Sequence, residues 1–251
     1  MADPLLTATA MNAIRDIVAR NLKRVRQRID AACERSGRDR SSVRLVAVTK
    51  YAQPEWVDAL IELGVTDLGE SRPQQLIQRV PRFPEHVCWH LIGHLQRNKV
   101  RGVLPLFGMC HSIDSVRLLA RIDLIASELK LPERPRLLLE VNVSGEDGKD
   151  GFDLAVLETE WSAITKFENV QPAGLMTMAP LTDDVEECRP VFGGLRALRD
   201  RLVERTGSEQ LLGELSMGMS RDFEIAIEEG ATLVRVGRTL FEGLERPQDS
   251  D

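Results

Sequence analysis

Lys50 is the residue of this sequence with the clearest chemical potential, because a short apolar run leads directly into it. Residues 43–48 have the length and β-branched character of a buried strand and are too few for a core helix. In parallel α/β folds, ligands bind where the strands end. A lysine amine at such a position can act as a nucleophile toward an aldehyde. Taken alone, the segment fits a surface lysine that ends a strand at least as well, so the assignment depends on the rest of the chain.

Two glycine-containing loops near the C-terminus have the composition of phosphate-binding loops. Residues 216–220 read Ser-Met-Gly-Met-Ser, and residues 237–239 read Gly-Arg-Thr. Hydroxyl groups and closely approaching backbone amides suit a phosphate, and barrel folds often bind phosphate after their seventh and eighth strands. Each loop alone would fit a helix cap or a simple turn. Their joint occurrence favours a phosphate site formed by the two loops, residues 216–220 and 237–239.

Arg235 is a cation on an otherwise apolar strand, two residues before the Gly237 turn. A buried arginine needs an acceptor, which a structural ion pair or the ring nitrogen of a bound heteroaromatic would supply. A lysine for an aldehyde, a phosphate cradle and an arginine for a pyridine nitrogen are together what pyridoxal phosphate requires. The sequence therefore predicts that Lys50, Arg235 and the two loops bind this cofactor.

Apolar runs alternate with helical periodicities along the chain, which is typical of a parallel α/β sheet. The runs predict eight strands at residues 43–48, 65–70, 87–93, 109–113, 136–143, 173–178, 214–218 and 233–237. We predict a single (β/α)8 TIM-type barrel over residues 1–251, with an extra N-terminal helix at residues 12–36 and with frayed ends at residues 1–10 and 246–251. A doubly wound sheet is the alternative, but the turn after the first strand is not rich in glycine.

Three of the helices between these strands carry specific predictions. Residues 95–106 are predicted as one helix, and Asp114 is predicted to cap the helix 116–130. The helix predicted at residues 184–206 contains Pro190 and a Gly193-Gly194 pair, so we expect a kink or a break in it.

Composition excludes several functional classes. The net charge is −6, with 33 basic against 39 acidic residues, so no basic surplus indicates nucleic acid. The four cysteines are scattered, which is typical of free thiols in a reducing compartment. The first residues lack the features of a signal peptide and no apolar run has membrane length, so we expect a cytoplasmic protein without membrane contact.

His90 and His94 are four residues apart, which is a metal-ligand spacing on a helix. The residues between them read as the end of a strand, which would point the two rings in different directions. We therefore predict no metal site, and we expect His90 near the barrel mouth and His94 in the following loop to act as hydrogen-bonding residues.

Several motifs, in order, resemble those of the pyridoxal phosphate homeostasis protein family over nearly the whole chain. They are Leu-Val-Ala-Val-Thr-Lys at 45–50, Trp-His-Leu-Ile-Gly-His-Leu-Gln-Arg-Asn-Lys at 89–99, Gly-Leu-Met-Thr-Met-Ala at 174–179, Leu-Ser-Met-Gly-Met-Ser at 215–220 with Asp222, and Val-Arg-Val-Gly-Arg-Thr at 234–239. The resemblance implies a barrel similar to the N-terminal domain of alanine racemases. It also implies a Schiff base on Lys50, phosphate held near Ser216, Gly237, Arg238 and Thr239, and Arg235 at the pyridine nitrogen.

One segment departs from the family pattern. The family usually has Gly-Glu-Asn-Tyr-Val-Gln-Glu after its second strand, whereas residues 69–75 read Gly-Glu-Ser-Arg-Pro-Gln-Gln. Ser71 therefore stands where family members place an asparagine beside the cofactor, and we do not include it among the predicted site residues.

The predicted function is pyridoxal phosphate homeostasis without substantial catalysis. An arginine at the ring nitrogen disfavours protonation there and weakens the ring as an electron sink, and racemisation needs a second base on the opposite ring face. Alanine racemases take that base from a tyrosine of an additional domain, and this chain has one tyrosine, Tyr51. The alternatives are a pyridoxal-phosphate-dependent amino-acid racemase with Lys50 as one base, and a phosphate-ligand barrel in which Lys50 pairs with an anion. We expect a monomer that makes transient contacts with enzymes that require the cofactor.

Overall fold

The structure, a computed structural model, describes residues 4–146, 148–207 and 209–245. Eight parallel strands pair in chain order, and the eighth pairs with the first, which closes a barrel. The strands are β1 Arg44–Val48, β2 Asp67–Glu70, β3 Cys88–Leu91, β4 Met109–Ile113, β5 Arg136–Glu140, β6 Gln171–Met176, β7 Glu214–Ser216 and β8 Leu233–Val236. The prediction of a (β/α)8 barrel is confirmed.

Helix α1 precedes the first strand, and the other helices lie between successive strands on the outside of the barrel, where they cover its outward face. They are α1 Pro4–Arg35, α2 Pro54–Glu62, α3 Pro73–Arg79, α4 Val100–Val103, α5 Val116–Leu129, α6 Leu154–Ile164, α7 Arg189–Thr206 and α8 Phe223–Glu228. Short 3-10 turns lie at Arg40–Ser42, Val80–Arg82, Leu104–Leu106, Val185–Cys188, Glu209–Leu212 and Arg238–Phe241. None of the described helices is long and apolar enough to cross a membrane.

Two apolar cores hold the barrel together. The larger core joins the outward strand residues to the buried helix faces. A smaller core, contributed by strand residues alone, lies inside the barrel; it consists of Val46, Met109, Leu138, Ala173, Met176 and Leu233. Because side chains alternate along a strand, the next inward positions lie toward the carboxyl ends, and several of these positions are polar.

The extra N-terminal helix is also confirmed, although α1 begins at Pro4 rather than at residue 12. Residues 4–10, predicted to be frayed, are therefore helical, whereas residues 1–3 and the predicted frayed tail 246–251 lie outside the described residues. The helix packs against α2, α8 and the 3-10 turn after β8.

Three local predictions differ from the structure. The helix predicted at residues 95–106 is reduced to α4 and a 3-10 turn, since Gly102 and Pro105 both disfavour a helix interior. The cap of α5 is Ser115, whose hydroxyl accepts from the Leu118 amide at 3.3 Å, rather than Asp114.

The third difference concerns α7. Pro190 lies in the first turn of α7, just after the 3-10 segment Val185–Cys188, so the predicted break occurs there. Gly193 and Gly194 lie inside an unbroken helix, so the kink predicted at this pair is absent. Their small size serves packing, because a Cβ on Gly194 would lie 2.8 Å from Cγ1 of Val143.

Candidate cofactor site

Lys50 follows β1 directly and lies at the carboxyl-end rim of the barrel. Hydrogen bonds fix the turn that carries it: the Thr49 amide donates to the Gly69 carbonyl at 2.8 Å, and the Ala52 amide donates to the Thr49 carbonyl at 2.8 Å. The Lys50 side chain is half-buried, and its Nζ lies 5.1 Å from the centre of the Tyr51 ring. The predicted position at the end of a buried strand is therefore the observed one.

Gly237 reaches the same rim from β8, the neighbour of β1. The register pairs Val46 with Arg235 and Ala47 with Val236. A Cβ on Gly237 would lie 3.1 Å from both Cβ and the carbonyl oxygen of Val48, two residues before Lys50. The Gly237 loop and the Lys50 turn are thus adjacent, and Arg238 and Thr239 continue into the following 3-10 turn with exposed and half-buried side chains.

The loop after β7 packs against the loop after β8. Gly218 has φ +89°, and a Cβ there would lie 2.6 Å from the Ala226 Cβ, so only glycine fits this turn. The Arg235 amide donates to the Gly218 carbonyl at 3.0 Å. The Gly237 amide donates to Ser220 Oγ at 3.4 Å, which places the Ser220 hydroxyl between the two loops. The sequence places Ser220 in the candidate phosphate loop 216–220, but it was not among the predicted site residues.

Arg235 is almost completely buried and has two protein acceptors. Its Nη1 donates to Ser216 Oγ at 2.6 Å, and its Nη2 donates to the Thr177 carbonyl at 3.0 Å. Burial lowers the pKa of Arg235 to about 10, against the opposing effect of the nearby Glu140 and Asp222 carboxylates. Two fixed acceptors leave the remaining N–H groups of the guanidinium available for a ligand.

Ser216 is fully buried in the barrel interior. Besides the Arg235 contact, its Oγ lies 2.9 Å from His111 Nδ1. The hydroxyl therefore lies beneath the Arg235 guanidinium, and Ser220, further along the loop, is the serine that borders Gly237.

Glu140 ends β5 and was not recognised from the sequence. It is only 6% exposed, and burial raises the pKa of its carboxyl to about 7, reinforced by Asp150 and Asp114 and opposed by Arg235. The available signal was an acidic residue within the apolar run predicted as the fifth strand, residues 136–143, because a buried charge of this kind usually has a structural or functional reason.

The histidines are distributed differently from the prediction. His90 is fully buried inside the barrel rather than at its mouth, and it lies between Asp67 and His111. His94 is in the following loop as expected, half-exposed, with Nδ1 3.3 Å from Asp114 and 3.7 Å from Asp150. His111 could not be recognised beforehand as a functional residue, because it lies within a strand whose other residues are Met, Cys, Ser and Ile.

Ser71 lies at the start of the loop after β2. Its amide donates to Glu70 Oε1 at 2.8 Å, and a Cβ on Gly93 would lie 2.3 Å from its carbonyl oxygen. The backbone of Ser71 is therefore held against the loop after β3.

Comparison with known proteins identifies the family. The model of the alanine racemase N-terminal domain matches residues 18–245. The pyridoxal phosphate homeostasis protein of Aquifex aeolicus is 38% identical over 88% of this chain and 95% of its own length. The chain belongs to the pyridoxal phosphate homeostasis protein family. The human homeostasis protein is 34% identical over 88% of this chain and 84% of its own.

Solved structures agree with membership in the pyridoxal phosphate homeostasis protein family. PipY of Synechococcus elongatus with pyridoxal phosphate bound is 34% identical, has a TM-score of 0.74, and covers 86% of this chain and 99% of its own. Alanine racemase of Clostridium difficile is 16% identical with a TM-score of 0.71. This chain covers 58% of that racemase chain, and at such identity the likeness shows the fold alone.

Proposed function

We propose that this protein binds pyridoxal phosphate as a Schiff base on Lys50 and serves the homeostasis of that cofactor without substantial turnover. The observation that carries the proposal is the close contact of Gly237 with Val48, because it brings the candidate phosphate loops to the rim that carries Lys50. The named function of relatives such as the Aquifex aeolicus protein and the cofactor in the PipY structure support the same conclusion.

The residues at this rim fit the cofactor group by group. Lys50 provides the amine for the aldehyde. The Ser220 hydroxyl and the first amides of the 3-10 turn at Arg238 and Thr239, which have no carbonyl partner within their own turn, provide donors for the phosphate. Ser216 would act on the phosphate only indirectly, through the loop that it begins. A Cβ at Gly218 would clash with Ala226 and one at Gly237 with Val48, so either would displace the loops that carry these donors.

Arg235 provides the donor for the ring nitrogen. Pyridoxal phosphate supplies an electron sink when its ring nitrogen is protonated. The Arg235 guanidinium keeps its charge at neutral pH, since its pKa stays near 10 despite burial, and so it disfavours a second positive charge on that nitrogen. This is the physical reason for proposing storage of the cofactor rather than rapid chemistry on it.

A pyridoxal-phosphate-dependent amino-acid racemase is the second candidate. The observation in its favour is Glu140, a buried carboxyl near Arg235 whose pKa of about 7 suits a general base. The composition argues against a racemase. Racemisation needs a second base on the opposite face of the ring, and the single tyrosine of the chain, Tyr51, adjoins Lys50.

Borohydride trapping tests the proposal. Reduction of the loaded protein should attach a pyridoxyl group to the peptide that contains Lys50, as read by mass spectrometry. Lys50→Ala should lose the label and the visible absorption of the bound cofactor, whereas Lys23→Ala, on the exposed face of α1, should retain both. Labelling of another lysine, or no labelling, contradicts the proposal; the latter favours an anion-binding barrel.

We propose that the protein resides in the cytoplasm, that it is a monomer, and that it meets cofactor-requiring enzymes transiently. The four cysteines are all unpaired, which supports a reducing compartment. Light scattering coupled to size exclusion should give the mass of one chain, about 28.1 kDa; twice that mass would contradict the monomer.

A further inference from the structure

A chain of hydrogen bonds crosses the interior of the barrel and ends at Arg235. Asp67 Oδ1 lies 3.0 Å from His90 Nε2, and His90 Nδ1 lies 2.9 Å from His111 Nε2. His111 Nδ1 lies 2.9 Å from Ser216 Oγ, which accepts from Arg235 Nη1 at 2.6 Å. The five side chains come from five different strands, so only the closed barrel brings them together.

The Asp67 end of this hydrogen-bond chain reaches a surface pocket. The Asp67 side chain is about one-fifth exposed, and it lines a pocket of about 190 Å³ together with Arg44 and Thr66. The other end, Arg235, lies beneath the candidate cofactor site. Protons can therefore exchange with solvent at Asp67. The middle of the hydrogen-bond chain, which consists of His90, His111 and Ser216, is fully buried.

The donor inventory fixes the direction of the bonds in the neutral chain. Arg235 only donates and the Asp67 carboxylate only accepts. Ser216 accepts a hydrogen bond from Arg235, and its hydroxyl donates a hydrogen bond to His111 Nδ1. His111 then donates from Nε2 to His90 Nδ1, and His90 donates from Nε2 to Asp67. Both imidazoles are neutral and carry their proton on Nε2.

The opposite arrangement requires one more proton. A neutral His90 with its proton on Nδ1 would turn a lone pair toward the Asp67 carboxylate, which stays ionised: although burial opposes ionisation, the His90 hydrogen bond and Arg44 lower the pKa of Asp67. If His90 is an imidazolium, it donates on both sides. His111 must then present a lone pair at Nε2 and move its own proton to Nδ1, from where it donates to Ser216. Ser216 then accepts from two donors and turns its hydroxyl proton away.

We propose that His111 and Ser216 are positioning residues for Arg235, and that through them the protonation of His90 changes the hydrogen bonding of Arg235 toward the cofactor ring nitrogen. The role of Arg235 at that nitrogen rests on the proposed function. In the neutral chain every bond points the same way, which strengthens the Arg235–Ser216 bond by mutual polarisation. In the protonated chain Ser216 shares its lone pairs between Arg235 and His111, and the guanidinium is held less firmly.

The charged groups around the chain favour His90 as the residue that takes the proton. Burial lowers the pKa of His90, but its hydrogen bond to Asp67 and the nearby Cys88 thiol outweigh burial, so the net shift is upward. The pKa of His111 is lowered well below its usual range by burial and by His90, Arg235 and Arg44.

Two carboxyl groups, Glu140 and Asp222, face Arg235 from other elements. Since Glu140 itself titrates at about pH 7, its response must be separated from that of His90. Variants at Asp67 and Ser216 do so, because neither substitution alters Glu140.

Nitrogen-15 spectra of the histidines test the chain in the protein without cofactor. The sequence contains four histidines, so each ring can be assigned. Above the pKa of His90, both His90 and His111 should carry their proton on Nε2. On acidification His90 should become doubly protonated while His111 moves its proton to Nδ1. In His90→Gln the tautomer of His111 should no longer change with pH, whereas His94→Gln, at an exposed ring, should leave the change intact. A His111 that carries its proton on Nδ1 at high pH, or that titrates before His90, overturns the proposal.

The absorption of the bound cofactor tests the link to the site. In the loaded protein the visible band should shift with pH at the midpoint found for His90. Asp67→Asn should lower that midpoint by about one pH unit or more. Ser216→Ala should remove the shift and raise the dissociation constant of the cofactor about tenfold. Ser112→Ala is the matched control, since Ser112 is a buried serine of β4 whose hydroxyl donates to the Gly93 carbonyl outside the chain.

The two tests separate the two proposals. A wild-type pH profile in both Asp67→Asn and Ser216→Ala overturns the coupling even if Lys50 is labelled by borohydride. A failure to label Lys50 overturns the proposed function, while the histidine spectra, recorded without cofactor, still decide whether the chain reverses.

Discussion

Gly237 and Val48 are so close that a side chain on the glycine would have no room. A Cβ at position 237 would lie 3.1 Å from both Cβ and the carbonyl oxygen of Val48. The φ of Gly237 is −125°, outside the left-handed region that favours glycine, so the lack of space beside Val48 is the reason for glycine here. This contact joins the start of the β8 loop to the end of β1, and it sets the distance between the candidate phosphate donors and Lys50.

Gly237→Ala should therefore weaken cofactor binding more than it weakens the fold. The added methyl group must push the loop away from β1, at a cost in unfolding free energy of about 1–2 kcal/mol. Because the phosphate donors move with the loop, the dissociation constant should rise about tenfold or more, measured by absorption titration. Gly102→Ala is the control: its Cβ would meet only Ile77 Cδ1, at 3.7 Å, so binding should not change. Equal affinities for the two variants would contradict a role of the Gly237 loop in binding.

The N-terminal helix should contribute to cofactor binding without reaching the cofactor. Asn21 of α1 is buried, and its Nδ2 donates to the carbonyls of Leu240 at 3.2 Å and Glu242 at 2.8 Å, which end the 3-10 turn that holds Arg238 and Thr239. Asn21→Ala should lower the unfolding free energy by about 1–2 kcal/mol, because two carbonyls, one of them buried, lose their donor. We also expect a several-fold rise in the dissociation constant of the cofactor. The control is Arg24→Ala, also on α1, which removes an exposed ion pair with Glu242 and should change both quantities little. An effect of Arg24→Ala larger than that of Asn21→Ala would contradict this role of Asn21.

Glu140 should make the fold less stable as the pH rises. In the unfolded chain this carboxyl releases its proton near 4.5, but in the folded protein it keeps the proton up to a pKa of about 7. Between these values the folded state binds more protons, so its stability falls with increasing pH. The stabilisation is fully present below the unfolded pKa and is lost as the pH passes the folded pKa, and it amounts to at most about 3 kcal/mol.

Glu140→Gln should flatten this dependence. Urea unfolding of the cofactor-free protein between about pH 5 and about pH 8 should show a smaller loss of stability in the variant than in the wild type, by about 2 kcal/mol. Glu133→Gln, at an exposed position before β5, should keep the wild-type slope. If the slopes of all three proteins coincide, Glu140 does not hold its proton at neutral pH.

Much of the fold was predictable because its signals are local. The strand at Met109–Ile113 matches its predicted bounds, and β1, β8 and α5 differ from theirs by one residue at an end. Lys50 and Gly237 could be assigned to one rim because parallel strands all end at the same face of a barrel.

What the sequence could not predict depends on contacts between distant residues. Ser216 lies in a loop-like motif, yet its hydroxyl faces inward because His111, 105 residues away, lies beside it. His90 was expected at the mouth, since a strand end does not show how far the neighbouring strands continue beyond it. Gly193 and Gly194 predicted a kink, whereas the approach of Val143 to α7 makes small residues favourable there.

Racemase activity should be negligible. Since the chain offers no tyrosine besides Tyr51 and keeps a cationic guanidinium at the site proposed for the cofactor ring, the loaded protein should not interconvert L- and D-alanine at an ordinary enzyme rate of about 1 per second or more. Chiral chromatography of the products measures this, and the Lys50→Ala variant serves as the background. If turnover is observed, its loss in Glu140→Gln would identify Glu140 as the base.

The buried pair of Glu70 and Arg79 should hold the turn that follows Lys50. Arg79 Nε lies 3.2 Å from Glu70 Oε2, within ion-pair distance although not aligned for a hydrogen bond, and Arg79 Nη2 donates to the Ala52 carbonyl at 2.7 Å. Burial raises the pKa of Glu70 above its usual value, against the effect of Arg79. Removal of the cation leaves a buried carboxylate without its partner, which is strongly destabilising.

Arg79→Ala should therefore lower the unfolding free energy by about 3 kcal/mol at neutral pH, and by less in acid, where Glu70 takes up a proton and no longer needs a cation. The double variant Glu70→Gln/Arg79→Ala should be more stable than the sum of the single effects predicts, because it removes both charges. Arg82→Ala, an exposed arginine of the adjacent 3-10 turn, is the control and should have little effect at either pH. Urea denaturation of five proteins (the wild type, Glu70→Gln, Arg79→Ala, the double variant and Arg82→Ala) at two pH values measures all of these differences. If Glu70 and Arg79 act as a pair, their coupling energy should disappear when the carboxyl is protonated. Strict additivity of the two substitutions would mean instead that the two residues stabilise the Lys50 turn independently.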